Sequence, residues 1–234
     1  MNDVKRQGHI AGLIYLSLAI LAPIGMVLSK LPDRENAAAT AAALMQSESL
    51  FRVGMTVALA CDIIFLCLGV ALYRLFNATN HVQSLLMVTF VVASGTAAFV
   101  NKINHVAALS ILENGAGFLS VFNKQQLEAL ALFFLRLHDD GVYVIAMFWG
   151  LWLFPLGALV LKSRFVPRIL GILLIVNGFA YLLTSVAFLL FPQHLDLVMR
   201  LTILPKFAGE LPFLLWLSIK GAKNPPTDGS TWTA

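Results

Sequence analysis

A chain of 234 residues with 59% hydrophobic and only 12% charged residues cannot cover itself with a water-facing surface, because a soluble domain carries roughly 25% charged residues. The net charge of +4 is small and its charges gather at helix ends. No Lys/Arg run or basic–aromatic stripe occurs, so nucleic acid is excluded as an expected partner and membrane lipids take its place. The only two cysteines, Cys61 and Cys67, share one apolar run. Six residues of helix separate them by about 9 Å, too far for a disulfide, so they read as small membrane-buried residues.

In chain order, residues 10–29 form the first apolar span. The basic start imitates a signal peptide. The stretch is nonetheless of spanning length, roughly 20 residues, and no clear small-x-small cleavage site follows, so it is read as a retained first helix. Pro23 is expected to kink it, which a membrane helix tolerates. Residues 30–50 contain an Ala-rich stretch, AAATAAALM, which favours a short helix outside the membrane. The second span covers 51–76 and the third 84–112, the latter rich in Ala, Ser and Thr in its second half. After a Gly-containing loop at 113–120, Asn123 followed three residues on by Gln126 reads as a capping box. The helix it starts, over 125–136, is expected in or above the interface and to continue into a fourth span at 141–161. A fifth span at 169–191 ends at Pro192. An interfacial segment at 193–204 leads to the sixth and shortest span, 205–219. The tail, with Pro225 and Pro226, is polar and expected to be disordered.

The expected fold is therefore all-α: a polytopic membrane bundle of about six helices joined as hairpins, one transmembrane domain over 1–221 and a tail over 222–234. Gly150 and Gly157 on the fourth span, and Gly171 and Gly178 on the fifth, each lie two turns apart on one helix face. Such faces let helix backbones approach closely.

Charge sets the expected orientation. The side of the first helix's start holds Lys5, Arg6, Arg74, Lys162, Arg164, Arg168, Lys220 and Lys223 in short connections. The other side spreads Lys30, Arg34, Arg52, Lys124, Arg200 and Lys206 over longer loops, diluted by Asp33, Glu35, Glu48, Glu113, Glu128 and Asp196. Cations concentrated in short loops mark the cytoplasmic side, so both ends are expected in the cytoplasm.

Setting the loop charges aside leaves Asp62, Lys102, Arg136, His138, Asp139, Asp140 and Glu210, with Asn101, Asn104 and His105 beside them. Ionisable groups within a membrane normally pair or face a cavity. Counting along the helices puts Asn101–His105 and His138–Asp140 near the outer edge, and Asp62 and Glu210 near mid-membrane. Arg52 caps the second span at its outer end. The expectation is an outward-opening polar pocket between spans two, three, four and six. Local pairs compete with that reading: Arg136 with Asp140, Lys206 with Glu210, and helix-to-helix bonding by Asn101 and His105. Asp62 has only apolar neighbours on its own helix. It meets Lys102 or His105 on another helix, or stays protonated. Asn177 and Tyr181 face one side of the fifth span, in the interior or merely in packing.

Several stretches carry a resemblance: IAGLIYL in the first span, ESLFR at 48–52, ALYRLF at 71–76, QLEALALFFLRLHDDG at 126–141, FWGLWLFPLGALVLKSRFVPRILG at 148–171 and GELPFLLWLSIKG at 209–221. In these, over nearly its whole length, the chain resembles the bacterial membrane-protein family DUF4386, a domain of unknown function. The resemblance implies a multi-pass protein of the bacterial cytoplasmic membrane and supplies no activity. It implies Arg52, His138 and Glu210 as family hallmarks.

Four functions remain open on the residues. One is an intramembrane enzyme or binding protein for a lipid-like or isoprenoid molecule. There Glu210 or Asp62 would act as the acid, with His138 as partner and Arg52, Asn101, His105 and Asp140 around the substrate. A second is a small transporter, against which the lack of a clear inverted repeat counts. A third is bis-His haem ligation by His105 and His138, or a metal site with Asp139 or Asp140; no cofactor is the favoured expectation. The fourth is a structural or regulatory protein whose polar groups only fix packing.

Overall fold

The computed structural model describes residues 3–31, 35–113 and 117–222. The expected tail with Lys223, Pro225 and Pro226, the charges Asp33 and Arg34, and residues 114–116 of the Gly-containing loop lie outside the described residues. Eight helices are described, with no strand among the described residues: α1 (Asp3–Leu28), α2 (Ala37–Gln46), α3 (Glu48–Phe76), α4 (His81–Glu113), α5 (Lys124–Leu151), α6 (Leu153–Ser163), α7 (Arg168–Leu190) and α8 (Leu195–Lys220). Six units are long and apolar enough to cross a membrane: α1, α3, α4, α5 with α6, α7 and α8. This is a multi-pass membrane protein, and its surface agrees: Met26, Val100, Phe179 and Leu204 are among many large apolar side chains left exposed, where lipid and not water is the solvent.

Each span packs on its neighbours in sequence, and α1 against α8 closes the ring. Inside the ring, α6 is the most enclosed segment. Trp152, Leu153, Leu156 and Leu159 are fully buried, and Tyr15 and Phe65 pack their rings on Trp152 at 6.3 and 5.3 Å. The start of α1 and the end of α8 adjoin, with His9 Nδ1 3.0 Å from Ser218 O and Ala222 buried beside Gly8. Packed chain thus extends to Ala222, one residue into the expected tail. We call this the terminal face. The opposite face carries α2, laid against α5 with lighter contacts to α3 and α4.

Local chemistry explains the element boundaries. Asn36 caps α2 by accepting from Ala39 N at 3.1 Å. Asn123 and Gln126 form the expected capping box, with both reciprocal bonds in place at 2.9 and 2.8 Å. The fourth span hitches at Trp152 between α5 and α6. Pro155, one turn on, has no N–H to offer the carbonyl of Leu151 and crowds it. Arg164, in the left-handed region at φ 57°, closes α6, and Pro167 opens α7, which makes the turn over 164–167 short.

Close backbone approach is built from glycine. The expected pairs face each other: a Cβ on Gly150 would meet Gly178 O at 2.7 Å, and one on Gly157 would meet Gly171 O at 2.8 Å. Two further contacts went unread in the sequence. Gly8 and Gly12, four apart on α1, lie on the backbone just past the end of α8 at Ala222 and on α8 itself at Ser218, and Gly25 meets Gly54 between α1 and α3. One expectation is corrected. Residues 193–204 are not a separate interfacial segment: apart from the 3-10 turn Pro192–His194 they belong to α8, which runs unbroken through Pro205 to Lys220.

Candidate functional site

The interior polar groups fall into two clusters. The first joins α3, α4 and α5 in the half nearer the opposite face. Asp62 pairs with Lys102 at 3.2 Å, with side chains 17% and 15% exposed, so the mid-helix carboxylate of α3 finds its cation on α4. One turn beyond Lys102, the buried His105 ring stacks on that of His138 from α5, centroids 3.5 Å apart and planes 25° from parallel. Phe51 meets His105 edge-on at 5.0 Å. Asn101 donates from Nδ2 to the backbone carbonyl of His138 at 2.8 Å and accepts from Asn104 at 3.0 Å. Asn101 reaches that carbonyl because Gly141 leaves its space empty; a Cβ there would collide with the Asn101 amide.

His138 Nδ1 lies 3.5 Å from Asp139 Oδ1, at the long limit of hydrogen bonding. Its Nε2 is buried with no hydrogen-bond partner among the described residues. A groove of about 200 Å³ opens beside this cluster, with Met26 of α1 and Met55 and Ala58 of α3 on its apolar side and Lys102, His105 and His138 on its polar side.

The second cluster joins α1, α7 and α8. Glu210 is ten residues from the end of α8, about 15 Å along the helix. Its carboxylate accepts from Tyr15 Oη and from Asn177 Nδ2, the latter at 2.9 Å. Tyr181 hydrogen-bonds the same carboxylate. Asn177 and Tyr181 lie four apart on α7, hence on one face. Gly209 seats α8 directly on the Asn177 side chain, which brings the neighbouring Glu210 within reach of it. Asn177 is fully buried.

The local pair that competed with the pocket reading, Lys206 with Glu210, does not form. Lys206 donates to Thr184 Oγ1 at 2.8 Å and lies 4.9 Å from the centre of the Tyr181 ring. Thr184 in turn shares a 3.1 Å hydrogen bond with Thr202. Three neutral donors surround the carboxylate, and α7 offers Lys206 a hydroxyl and an aromatic face instead.

The pocket expected between spans two, three, four and six is therefore divided. Spans two, three and four bring Asp62, Lys102, Asn101, His105 and His138 together, while Glu210 belongs with Tyr15, Asn177 and Tyr181. Arg52 belongs to neither: it pairs with Glu48 at 2.7 Å and with Glu113 at the opposite-face end of the bundle, its side chain half exposed. Asp140 is exposed. Bis-His haem ligation places the porphyrin between two imidazoles, and rings stacked at 3.5 Å leave no gap for it. Among the described residues, no three His, Cys, Asp or Glu side chains gather as a metal site.

Tyr15 was missed in the sequence. The signal that finds it is the pair Gly8 and Gly12, which docks α1 on α8 and so points Tyr15, one turn on from Gly12, at Glu210.

No curated protein and no solved structure matches the chain. The helices that build both clusters do match a family description, a domain of unknown function, over residues 10–221, and the chain belongs to the DUF4386 family.

Proposed function

We propose that this protein binds an acidic, lipid-like small molecule in the groove between α1, α3, α4 and α5, and handles its headgroup by acid–base chemistry at His138 with Asp62 and Lys102. The observation that carries the reading is the division of the groove into an apolar wall, Met26, Met55 and Ala58, and a basic wall, Lys102, His105 and His138. An anionic headgroup meets Lys102 and, with a small turn of the ring, the buried and unpartnered Nε2 of His138, while its tail lies along α1 and α3 in contact with the membrane. Asp62, bonded to Lys102, limits the positive charge of the empty site and is freed to take up a proton when the headgroup competes for the lysine. Asn101 holds α5 in register through the His138 carbonyl, a positioning role. In this reading the terminal face is cytoplasmic, on the charge asymmetry of the short loops. The membrane is the bacterial cytoplasmic one, and the ligand comes from the outer leaflet.

Native mass spectrometry of the purified full-length protein tests this. Wild type and Arg52→Ala should carry the same small lipid-like mass, and His138→Ala and Lys102→Met should lose it. A wild-type protein that sheds no such mass, or variants that retain it, would overturn the reading.

One observation favours a second reading, proton-coupled transport. Glu210 is a carboxylate at mid-helix on α8, without an ion-pair partner among the described residues, reached from the opposite face by the polar series Thr202, Thr184, Lys206 and Tyr181. Proton movement into liposomes holding wild type and absent with Glu210→Gln would support it. Equal movement in both would discard it.

A further inference from the structure

At the terminal face, lined by no residue of either polar cluster, α1 and α3 form a second groove of about 340 Å³. Its rim carries two arginines, Arg6 on α1 and Arg74 on α3. Both are exposed and neither forms an ion pair with a described carboxylate, although Asp3 also lines the rim. Below them the walls turn apolar: Ile10 and Ile14 descend α1, and Val70 and Cys67 run back along α3. From Arg6 to Ile14 the groove descends about 12 Å along the helix. Ile10, Val70 and Cys67 are exposed on this surface, so it faces the lipid and not the bundle interior.

We propose that this groove is a binding site for one anionic phospholipid, its phosphate held between Arg6 and Arg74 and an acyl chain lying against Ile10, Ile14 and Val70. Two guanidiniums on adjacent helices suit a phosphate, because each presents a planar fork of donors to its oxygens. The order of the groove, cationic at the headgroup level and apolar toward the membrane interior, matches the order of a phospholipid and of no water-soluble anion. The site is independent of the ligand proposed for His138, and the arginines stand on the face whose cations would meet anionic headgroups.

The test is native mass spectrometry of the full-length protein titrated with phosphatidylglycerol or phosphatidylcholine in detergent. Wild type should retain phosphatidylglycerol in preference to phosphatidylcholine. Arg6→Ala combined with Arg74→Ala should weaken that retention by about tenfold or more, the scale expected for two cations near an anionic headgroup. Lys162→Ala combined with Arg168→Ala removes the same charge from the terminal face and should leave retention unchanged. Equal weakening by both pairs of substitutions, or no preference between the lipids, would overturn the proposal.

Discussion

Glu210 sits where helix backbones touch, His138 where side chains from α4 make the contacts, and the contrast separates two ways of keeping polar groups inside a membrane bundle. Around Glu210, Gly12 lies on the backbone of Ser218 and Gly209 on Asn177. Three helices are thereby drawn close enough for Tyr15, Asn177 and Tyr181 to surround one carboxylate. Little there moves without parting backbones. Around His138, the link from α4 is a ring stack, one amide-to-carbonyl bond and an ion pair of 3.2 Å, beside an open groove. Side chains there have room to exchange partners, which is what a binding site requires. The rigid cluster is the better candidate for holding the fold, and the looser one for meeting a ligand.

The largest effect should come from breaking the backbone contacts of the first cluster. Gly209→Leu drives a side chain into Asn177 and should cost about 3 kcal/mol or more, read as lost folded yield in size-exclusion chromatography. If its yield and Tm equal those of wild type, the close approach is not what holds α8 on α7. Next, Glu210→Ala leaves the donors of Tyr15, Asn177 and Tyr181 facing one another without an acceptor and should lower stability by about 2 kcal/mol. Glu210→Gln keeps an acceptor oxygen and should fall between. Thermal unfolding in detergent orders the three proteins, and an Ala variant no less stable than Gln would contradict this hydrogen-bond arrangement.

In the second cluster the effects shrink. A double-mutant cycle of Asp62→Ala and Lys102→Ala should give a coupling of about 1 kcal/mol, since both side chains retain some contact with solvent. A coupling as large as the Glu210 effect would erase the contrast between the clusters. Smallest of all is Arg52→Ala. Its partners Glu48 and Glu113 lie at the exposed end of the bundle, where ion pairs contribute little, so Tm should not change measurably.

The capping box at Asn123, the six spans and the facing glycines of α5–α6 and α7 were legible because each depends on spacing within one helix. Asp62 meeting Lys102 was legible for a related reason: an ionised group on an otherwise apolar helix narrows its partners to a few. Lys206 and Glu210 show the limit. Four apart on one helix, they satisfy the local rule for a pair, yet α1 and α7 supply competing partners for each, and no local spacing encodes which helices those are. Likewise Arg52, His138 and Glu210 share a polar character in the sequence, but they project toward three different sets of neighbours.

By itself, then, the amino-acid order determined that this chain has six stretches long and apolar enough to span a membrane, where most of the helices end, and which residues are too polar to face lipid. It did not determine the true starts of α1 and α8, which begin about two and three turns earlier than their apolar stretches. Hydrophobic length, caps and glycine spacing act within a helix, so one helix suffices to read them. Only the tertiary structure decided that the polar residues form two clusters and not one pocket. That division follows from how the ring closes: α1 docks on α8 through Gly8 and Gly12 and brings Tyr15 to Glu210, while α4 and α5 close on each other through Asn101 and Gly141 and stack the two histidines beside an open groove.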